Sequence, residues 1–179
     1  GLEVNTNIDE RYNIEKATRA ACAYLKESYE MYGDWMTVAA SYNAGQNGIS
    51  NRLEQQGVDK AMDLWLVEET SRYMFRILAA KTVLSDPKPY GFVLKRSQLY
   101  PYIAPKKIVT TTLQIDDLTA FAKEHGVTIA QLKEENPWLR EYTMNNKSGR
   151  TYHIRIPDAE ALHYDPPKTK AHNPRWVID

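Results

Sequence analysis

The stretch Ala39-Ala40-Ser41-Tyr42-Asn43-Ala44-Gly45 decides how the first half of this chain folds. Asp34 suits a helix N-cap, and Gly45 can take the left-handed conformation that ends a helix. Apolar residues recur between them at helical spacing, which predicts a helix with one buried face. These apolar positions are Trp35, Val38, Ala39 and Tyr42. The pattern therefore places Tyr42 and Asn43 on the last helical turn, where both side chains can face a cleft.

The side chains of Tyr42 and Asn43 have the chemistry that a sugar requires. A carboxamide offers two donors and one acceptor, and a phenol adds a hydroxyl group to a flat apolar ring. A Tyr-Asn pair at a helix end also serves capping and core packing. From these two residues alone, both interpretations stay open.

The composition is that of an ordinary globular protein. The 179 residues include 42% hydrophobic and 26% charged residues, enough for one domain or two small ones. The 23 basic and 23 acidic residues form no dense basic cluster, which argues against nucleic acid as a partner. No apolar run approaches the ~20 residues of a membrane span, and no signal peptide is evident. We expect a monomer, and we expect any attachment to a membrane to come through an anchor outside this chain.

Neither a metal site nor a cofactor site is predicted. Cys22 is the single cysteine, so an intramolecular disulfide is impossible, and its mid-helix position predicts a small buried side chain. The four histidines show no metal-ligand spacing. They are His125, His153, His163 and His172.

Helical periodicity predicts an all-α first half. Residues 1–13 form a polar loop, 46–48 a turn, and Asp86-Pro87 ends the last helix. That last helix is predicted because four residues share one face of it: Tyr73, Ile77, Ala80 and Leu84. The predicted helices are Ile14–Tyr32, Asp34–Gly45, Ile49–Gln56 and Val67–Leu84.

The pattern changes after Pro105. Residues 107–113 and 152–157 have strand character, and two short helices are predicted between them. Asp116 or Asp117 caps the first of these helices, Thr128 caps the second, and Asn136-Pro137 closes it. The predicted fold class is mainly α: a helical domain followed by a small α+β unit of order βααβ.

Several segments of the first half occur together in one protein family. They are Asp9-Glu10-Arg11, Ala17-Thr18-Arg19-Ala20-Ala21, Tyr24-Leu25, Gly33-Asp34-Trp35, Ala40-Ser41-Tyr42-Asn43-Ala44-Gly45 and Glu69-Thr70-Ser71-Arg72-Tyr73. In this order they resemble the second half of the lysozyme-like domain of lytic murein transglycosylases. The resemblance implies that residues 1–90 are the C-terminal half of that domain. A Pro- and Tyr-rich connector, with Pro101 and Tyr102, is then expected over residues 91–105.

Residues 106–158 resemble a LysM module. The resemblance rests on Leu118, Phe121-Ala122, Gly126-Val127-Thr128, Leu132, Asn136-Pro137 and Ile154-Arg155-Ile156-Pro157. It implies binding to the N-acetylglucosamine-containing glycan of the cell wall. Two departures leave a purely bracing role open: Gln114-Ile115-Asp116-Asp117 replaces the usual Gly-Asp, and the link from Asn136 to Tyr152 is long and polar. An irregular tail is expected over 159–179.

The family resemblance also implies a reaction. These enzymes cleave the β-1,4 bond between N-acetylmuramic acid and N-acetylglucosamine without water and leave a 1,6-anhydro sugar. One carboxyl group acts as acid and then as base, and in the family it belongs to a Glu-Ser pair followed by Gly-Leu-Met/Trp-Gln. We expect that segment upstream of Gly1. Glu27 precedes Ser28, but no such segment follows and its charged neighbours indicate a solvated face, so no residue of this chain is predicted to be catalytic.

The resemblance implies three substrate-binding residues. Tyr42 and Asn43 match the cleft motif beside the acid, and Tyr73 matches a tyrosine near it, although Tyr73 could equally be a core residue. Glu10 and Arg11 are interpreted as a structural ion pair. The expected partner is peptidoglycan in the cell envelope, on the periplasmic side. Whether a longer protein is anchored to the outer membrane stays open from the sequence. A non-catalytic wall-binding protein and an interaction scaffold are the alternatives.

Overall fold

The computed structural model describes residues 1–100, 104–158, 171 and 173–178. The chain forms two compact units. The first unit contains Gly1–Thr18 and the described part of 95–172. The second unit contains Arg19–Leu94 and the described part of 173–179.

The second unit is helical, as the sequence predicted. Its helices are α1 (Ile14–Tyr32, whose first residues belong to the first unit), α2 (Trp35–Ala44), α3 (Gln46–Gln56) and α4 (Glu68–Ser85), with short 3-10 turns at Ala61–Asp63 and Lys88–Tyr90. Helices α3 and α4 both pack on α2. The buried core of the unit consists of Ala40, Ile49, Ala61 and Met74.

The turn predicted at residues 46–48 is wrong. Gly45 alone separates α2 from α3, because its positive φ of 81° interrupts the helical backbone within one residue. Residues 46–48 therefore already belong to α3.

The prediction that Cys22 is buried is also wrong, since Cys22 is exposed. The buried residue of α1 is Ser28, which accepts a hydrogen bond from Gln46. On α4 the buried residues are Thr70 and Met74. The predicted face is only partly covered, with Ile77 42% and Leu84 61% exposed.

The first unit contains the predicted strand-helix-helix-strand order. Its elements are β1 (Pro105–Thr111), α5 (Leu118–Glu124), α6 (Ile129–Glu135) and β2 (Tyr152–Pro157), preceded by a 3-10 turn at Arg96–Gln98. The strands pair antiparallel, with Thr111 opposite Tyr152 and Lys107 opposite Ile156. Asp117 caps α5, and Thr128 forms a capping box with Gln131 at α6. The predicted fold class, mainly α with a small α+β part, is confirmed.

The N-terminal segment lies in the first unit, although the sequence grouped residues 1–90 together. Ile8 is fully buried and belongs to the same core as Leu118, Leu132, Ile154 and Ile156. The sequence gives no hint of this position, since a single isoleucine in a polar loop has no periodicity. The segment is also more ordered than a loop, with a 3-10 turn at Glu10–Tyr12.

The described part of the C-terminal tail packs within the second unit. Residues Pro174–Trp176 form a 3-10 turn, Val177 bridges Leu94, and the Trp176 indole donates a hydrogen bond to the Leu84 carbonyl at 2.6 Å. The expectations for Pro101, Tyr102, His163 and His172 fall outside the described residues.

Glu10 and Arg11 both form ion pairs, but not with each other as the sequence predicted. Arg11 pairs with Asp9 at 2.6 Å, and Glu10 pairs with Lys16. The hydrogen bond from the Arg11 side chain lowers the pKa of Asp9. For Glu10, burial favours the neutral form, but the Glu3 backbone N–H at 2.8 Å and the Lys16 ammonium outweigh it and lower the pKa.

These lowered pKa values predict that the first unit loses stability in acid. Asp9 and Glu10 stabilise the fold above their unfolded-state pKa values, near ~4, and the contribution disappears as the pH falls through their folded-state values. We expect the urea midpoint of the first unit to fall between pH 6 and pH 3. Glu10→Gln should reduce that difference, whereas the exposed control Glu141→Gln should not. An equal pH dependence in all three proteins would contradict the prediction.

Candidate functional site

Helix α2 is fixed at its start by a buried polar network. The Asp34 carboxylate accepts hydrogen bonds from the Thr37 backbone N–H at 2.8 Å and from the Thr37 hydroxyl at 2.7 Å. The same hydroxyl accepts a hydrogen bond from the Ala61 N–H at 2.9 Å. Thr37 is fully buried, so this network sets the position of α2 against the chain that follows α3.

The last turn of α2 is fixed by Ser41. Its hydroxyl donates to the Val38 carbonyl, and its own carbonyl accepts from the Tyr24 hydroxyl and from the Gly45 N–H, each at 2.8 Å. The Ser41 side chain is fully buried, and its hydroxyl is satisfied within the helix. The adjacent residues 42 and 43 are therefore presented from a rigid turn.

Tyr42 and Asn43 carry the polar groups that this turn leaves available. Tyr42 is 45% exposed, and its ring meets Tyr24 edge to face at 5.5 Å between centroids. Asn43 is half-buried. Within the described chain, neither the Tyr42 hydroxyl nor the Asn43 amide has a hydrogen-bond partner. The pair can therefore offer a ring and an amide to a ligand without breaking an internal bond.

Tyr73 lies on α4, which packs on α2, and it is half-buried. Its hydroxyl makes no hydrogen bond to a described residue, and its ring makes no ring contact with Tyr42. The cleft assignment and the core alternative both remain predictions for this residue.

None of the described carboxylates is suited to act as a general acid. The buried carboxylates in that part of the chain are Asp9 and Glu10, and their ion pairs lower both pKa values. Glu27 is exposed on α1. Glu68 is exposed at the start of α4 and pairs with Arg72 at 2.9 Å. A general acid instead requires an apolar pocket that raises its pKa.

A shallow groove lies elsewhere in the second unit. It is lined by the end of α1 and the end of α3, including Tyr32, Leu53 and Val58, and its lining does not include the residues discussed above. No cluster of described side chains could hold a metal ion. No helix in the described ranges has the length and apolar character to cross a membrane.

Two supporting residues were not identified from the sequence. Tyr24 supports both Ser41 and Tyr42, and Thr37 ties α2 to Ala61. The sequence placed Tyr24 within the predicted helix Ile14–Tyr32. No sequence signal indicated which carbonyl its hydroxyl would reach, because that contact crosses between helices.

Two protein families match this chain. Residues 1–64 match the family described as the Transglycosylase SLT domain, and residues 107–160 match the soluble lytic transglycosylase C-terminal LysM-like domain. Both resemblances drawn from the sequence motifs are confirmed. Tyr42 and Asn43 lie inside the first match, whereas Tyr73 lies beyond its end.

Full-length relatives extend the similarity across both units. The chain is 25% identical over 166 residues to membrane-bound lytic murein transglycosylase D of Escherichia coli strain K12, and the protein of that name from E. coli O6:H1 gives the same values. The alignments cover 90% of this chain and 35% of each relative. The chain thus spans about a third of the length of the curated relatives that it matches.

Proposed function

We propose that this chain is part of a lytic murein transglycosylase of the cell envelope. The reaction would be the non-hydrolytic cleavage of the N-acetylmuramic acid–β-1,4–N-acetylglucosamine bond, which yields a 1,6-anhydro-muramic acid end. The observation that carries the proposal is the rigid turn that presents Tyr42 and Asn43 with unused polar groups, inside the segment that matches the Transglycosylase SLT domain. The substrate would be peptidoglycan on the periplasmic side.

Tyr42, Asn43 and Tyr73 have distinct roles in this proposal. The exposed Tyr42 ring contacts the apolar face of a sugar ring. The Asn43 amide bonds the N-acetyl and hydroxyl groups of the substrate, and Tyr73 lies near the reacting carboxyl group. The general acid comes from a residue outside these 179, which agrees with the lowered pKa values of Asp9 and Glu10.

A non-catalytic peptidoglycan-binding protein is the second candidate. It is favoured by the lack of a described carboxylate suited to acid catalysis. Under this alternative the Tyr42–Asn43 turn would bind glycan without cleaving it, and the LysM-like unit would bind the same polymer. The two functions differ in one product, the anhydro sugar.

The proposal predicts a defect for Asn43→Ala in the protein that includes the upstream Glu-Ser segment. An amide that pairs with substrate in the transition state contributes about 1–3 kcal/mol, so kcat/KM should fall roughly 5- to 150-fold. The measurement is the rate of 1,6-anhydromuropeptide release, followed by liquid chromatography with mass detection. Asn47→Ala, at an exposed position on α3, is the matched control and should retain full activity. Equal rates for the two variants would remove Asn43 from the site.

A further inference from the structure

The first unit holds a piece of its own chain in the way that a receptor holds a peptide. Residues 3–10, here called the N-terminal hairpin, are shaped by local bonds. The Asn5 N–H donates to the Ile8 carbonyl at 2.7 Å, and the Asn5 side chain accepts from the N–H groups of Asn7 and Ile8 at 2.9 Å. An isolated β-bridge between Val4 and Asp9 closes the hairpin.

Backbone pairing joins this hairpin to the loop that follows α6. Ile8 bridges Leu139 in antiparallel fashion, the Asp9 N–H donates to the Trp138 carbonyl at 2.9 Å, and the Arg140 N–H donates to the Asn7 carbonyl at 2.8 Å. These bonds span more than a hundred residues of sequence. The contact is a single antiparallel bridge between two loop segments, and it lies outside the sheet formed by β1 and β2.

Side chains on either side of the backbone pairing add specificity. The Asn7 amide donates to the Thr143 hydroxyl at 3.0 Å and accepts from Asn145 at 2.7 Å. The Glu3 carboxylate accepts a hydrogen bond from the largely buried Tyr152 hydroxyl at 2.7 Å. Burial, together with this negative charge, raises the pKa of Tyr152, so the phenol stays a donor.

The centre of this contact is the Ile8 side chain. It is fully buried among Trp138, Leu139, Met144 and Tyr152. Without it the unit would have a hole in its core, lined by large apolar side chains. The described part of residues 107–160, which match the LysM-like domain, therefore does not have a complete core without Ile8.

We infer that the surface formed by residues 138–145 and the start of β2 is a binding site for the N-terminal hairpin of the same chain, and that the LysM-like unit acts as a clamp on that hairpin. This inference does not depend on the proposed enzymatic function. It assigns the 138–145 surface to a peptide ligand rather than to a wall glycan. It also assigns the first residues of the segment matching the Transglycosylase SLT domain to the neighbouring unit.

Hydrogen exchange with mass detection on the whole chain tests the clamp. Ile8→Ala should raise the opening equilibrium of residues 152–157 roughly 30- to 1,000-fold and leave residues 35–56 unchanged. The matched control is Ile49→Ala, equally buried but in the second unit, which should show the reverse pattern. Unchanged exchange at 152–157, or equal increases in both regions, would overturn the inference.

A reciprocal variant covers the case in which Ile8→Ala fails to fold. Glu3→Gln keeps the size of the side chain but weakens its bonds to Tyr152 and Arg150. It should raise exchange in residues 5–10 and in residues 138–144 together, by about 5- to 20-fold, because a bond to a charged group is lost. Faster exchange in residues 5–10 alone would mean that the hairpin is not coupled to the loop, and the clamp would be rejected.

Discussion

The 179-residue chain should release no 1,6-anhydromuropeptides from purified peptidoglycan. The reaction needs one carboxyl group that is protonated near neutral pH and then acts as a base. The buried carboxylates among the described residues, Asp9 and Glu10, have lowered pKa values and are held in ion pairs. Digestion products analysed by liquid chromatography with mass detection should therefore match those of a buffer control.

Extending the chain upstream should produce a large effect. General acid–base catalysis contributes roughly 10²- to 10⁴-fold to such a rate, so a protein extended upstream through the Glu-Ser segment should form anhydro product readily. Replacing that upstream glutamate by glutamine should abolish the product again. Anhydro product from the 179-residue chain, lost in Glu27→Gln, would instead place the acid on α1 and reject our proposal.

Local signals allowed most of the fold to be predicted. The bounds of α1 and β2 agree with the sequence prediction, because a helical stripe, an alternating strand and their caps are all encoded within a few residues. The same applies to Asp34, Asp117 and Thr128, whose side chains cap the helices that they precede. Such features need no knowledge of the distant chain.

The errors concern contacts between segments that are far apart in sequence. Ile8 is one apolar residue in an Asn-rich loop, and its burial depends on Leu139 and Met144, more than 130 residues away. Cys22 was expected to be buried from its mid-helix position, but the buried residue of α1 is Ser28, which is bonded to Gln46 of α3. Periodicity identifies a buried face of an element, and it does not identify what covers that face.

For the candidate site too, the local features were predictable and the contacts between helices were not. The Tyr42–Asn43 turn was predictable because a sequence motif and a helix-ending glycine occur together there. The support from Tyr24 and the Asp34–Thr37–Ala61 network was not, since those bonds cross between helices. The sequence indicated an ion pair for Glu10, but its actual partner, Lys16, and the pairing of Arg11 with Asp9 became known only from the fold.

Asn136→Ala should destabilise the first unit by about 3 kcal/mol. The Asn136 amide is fully buried and donates to the Leu132 carbonyl at 2.8 Å and to the Arg155 carbonyl at 2.7 Å. Its oxygen accepts from the Arg155 N–H at 2.9 Å. The sequence identified this residue as the end of α6, but the same side chain also ties α6 to β2. Alanine would leave both backbone groups of Arg155 without these bonds in a place that water does not reach.

Comparison with Asn146 tests whether the burial of Asn136, or the number of its hydrogen bonds, sets the loss of stability. Asn146 also donates to two carbonyls, those of Thr112 and Arg150, and accepts from the Arg150 N–H at 3.0 Å. It is only half-buried, so water can replace the lost bonds, and Asn146→Ala should cost about 1 kcal/mol. Urea unfolding followed at the methyl signals of Ile154 and Ile156 compares the two variants in one unit. Equal losses would show that the number of bonds, and not the exclusion of water from Asn136, sets the stability of the helix–strand junction.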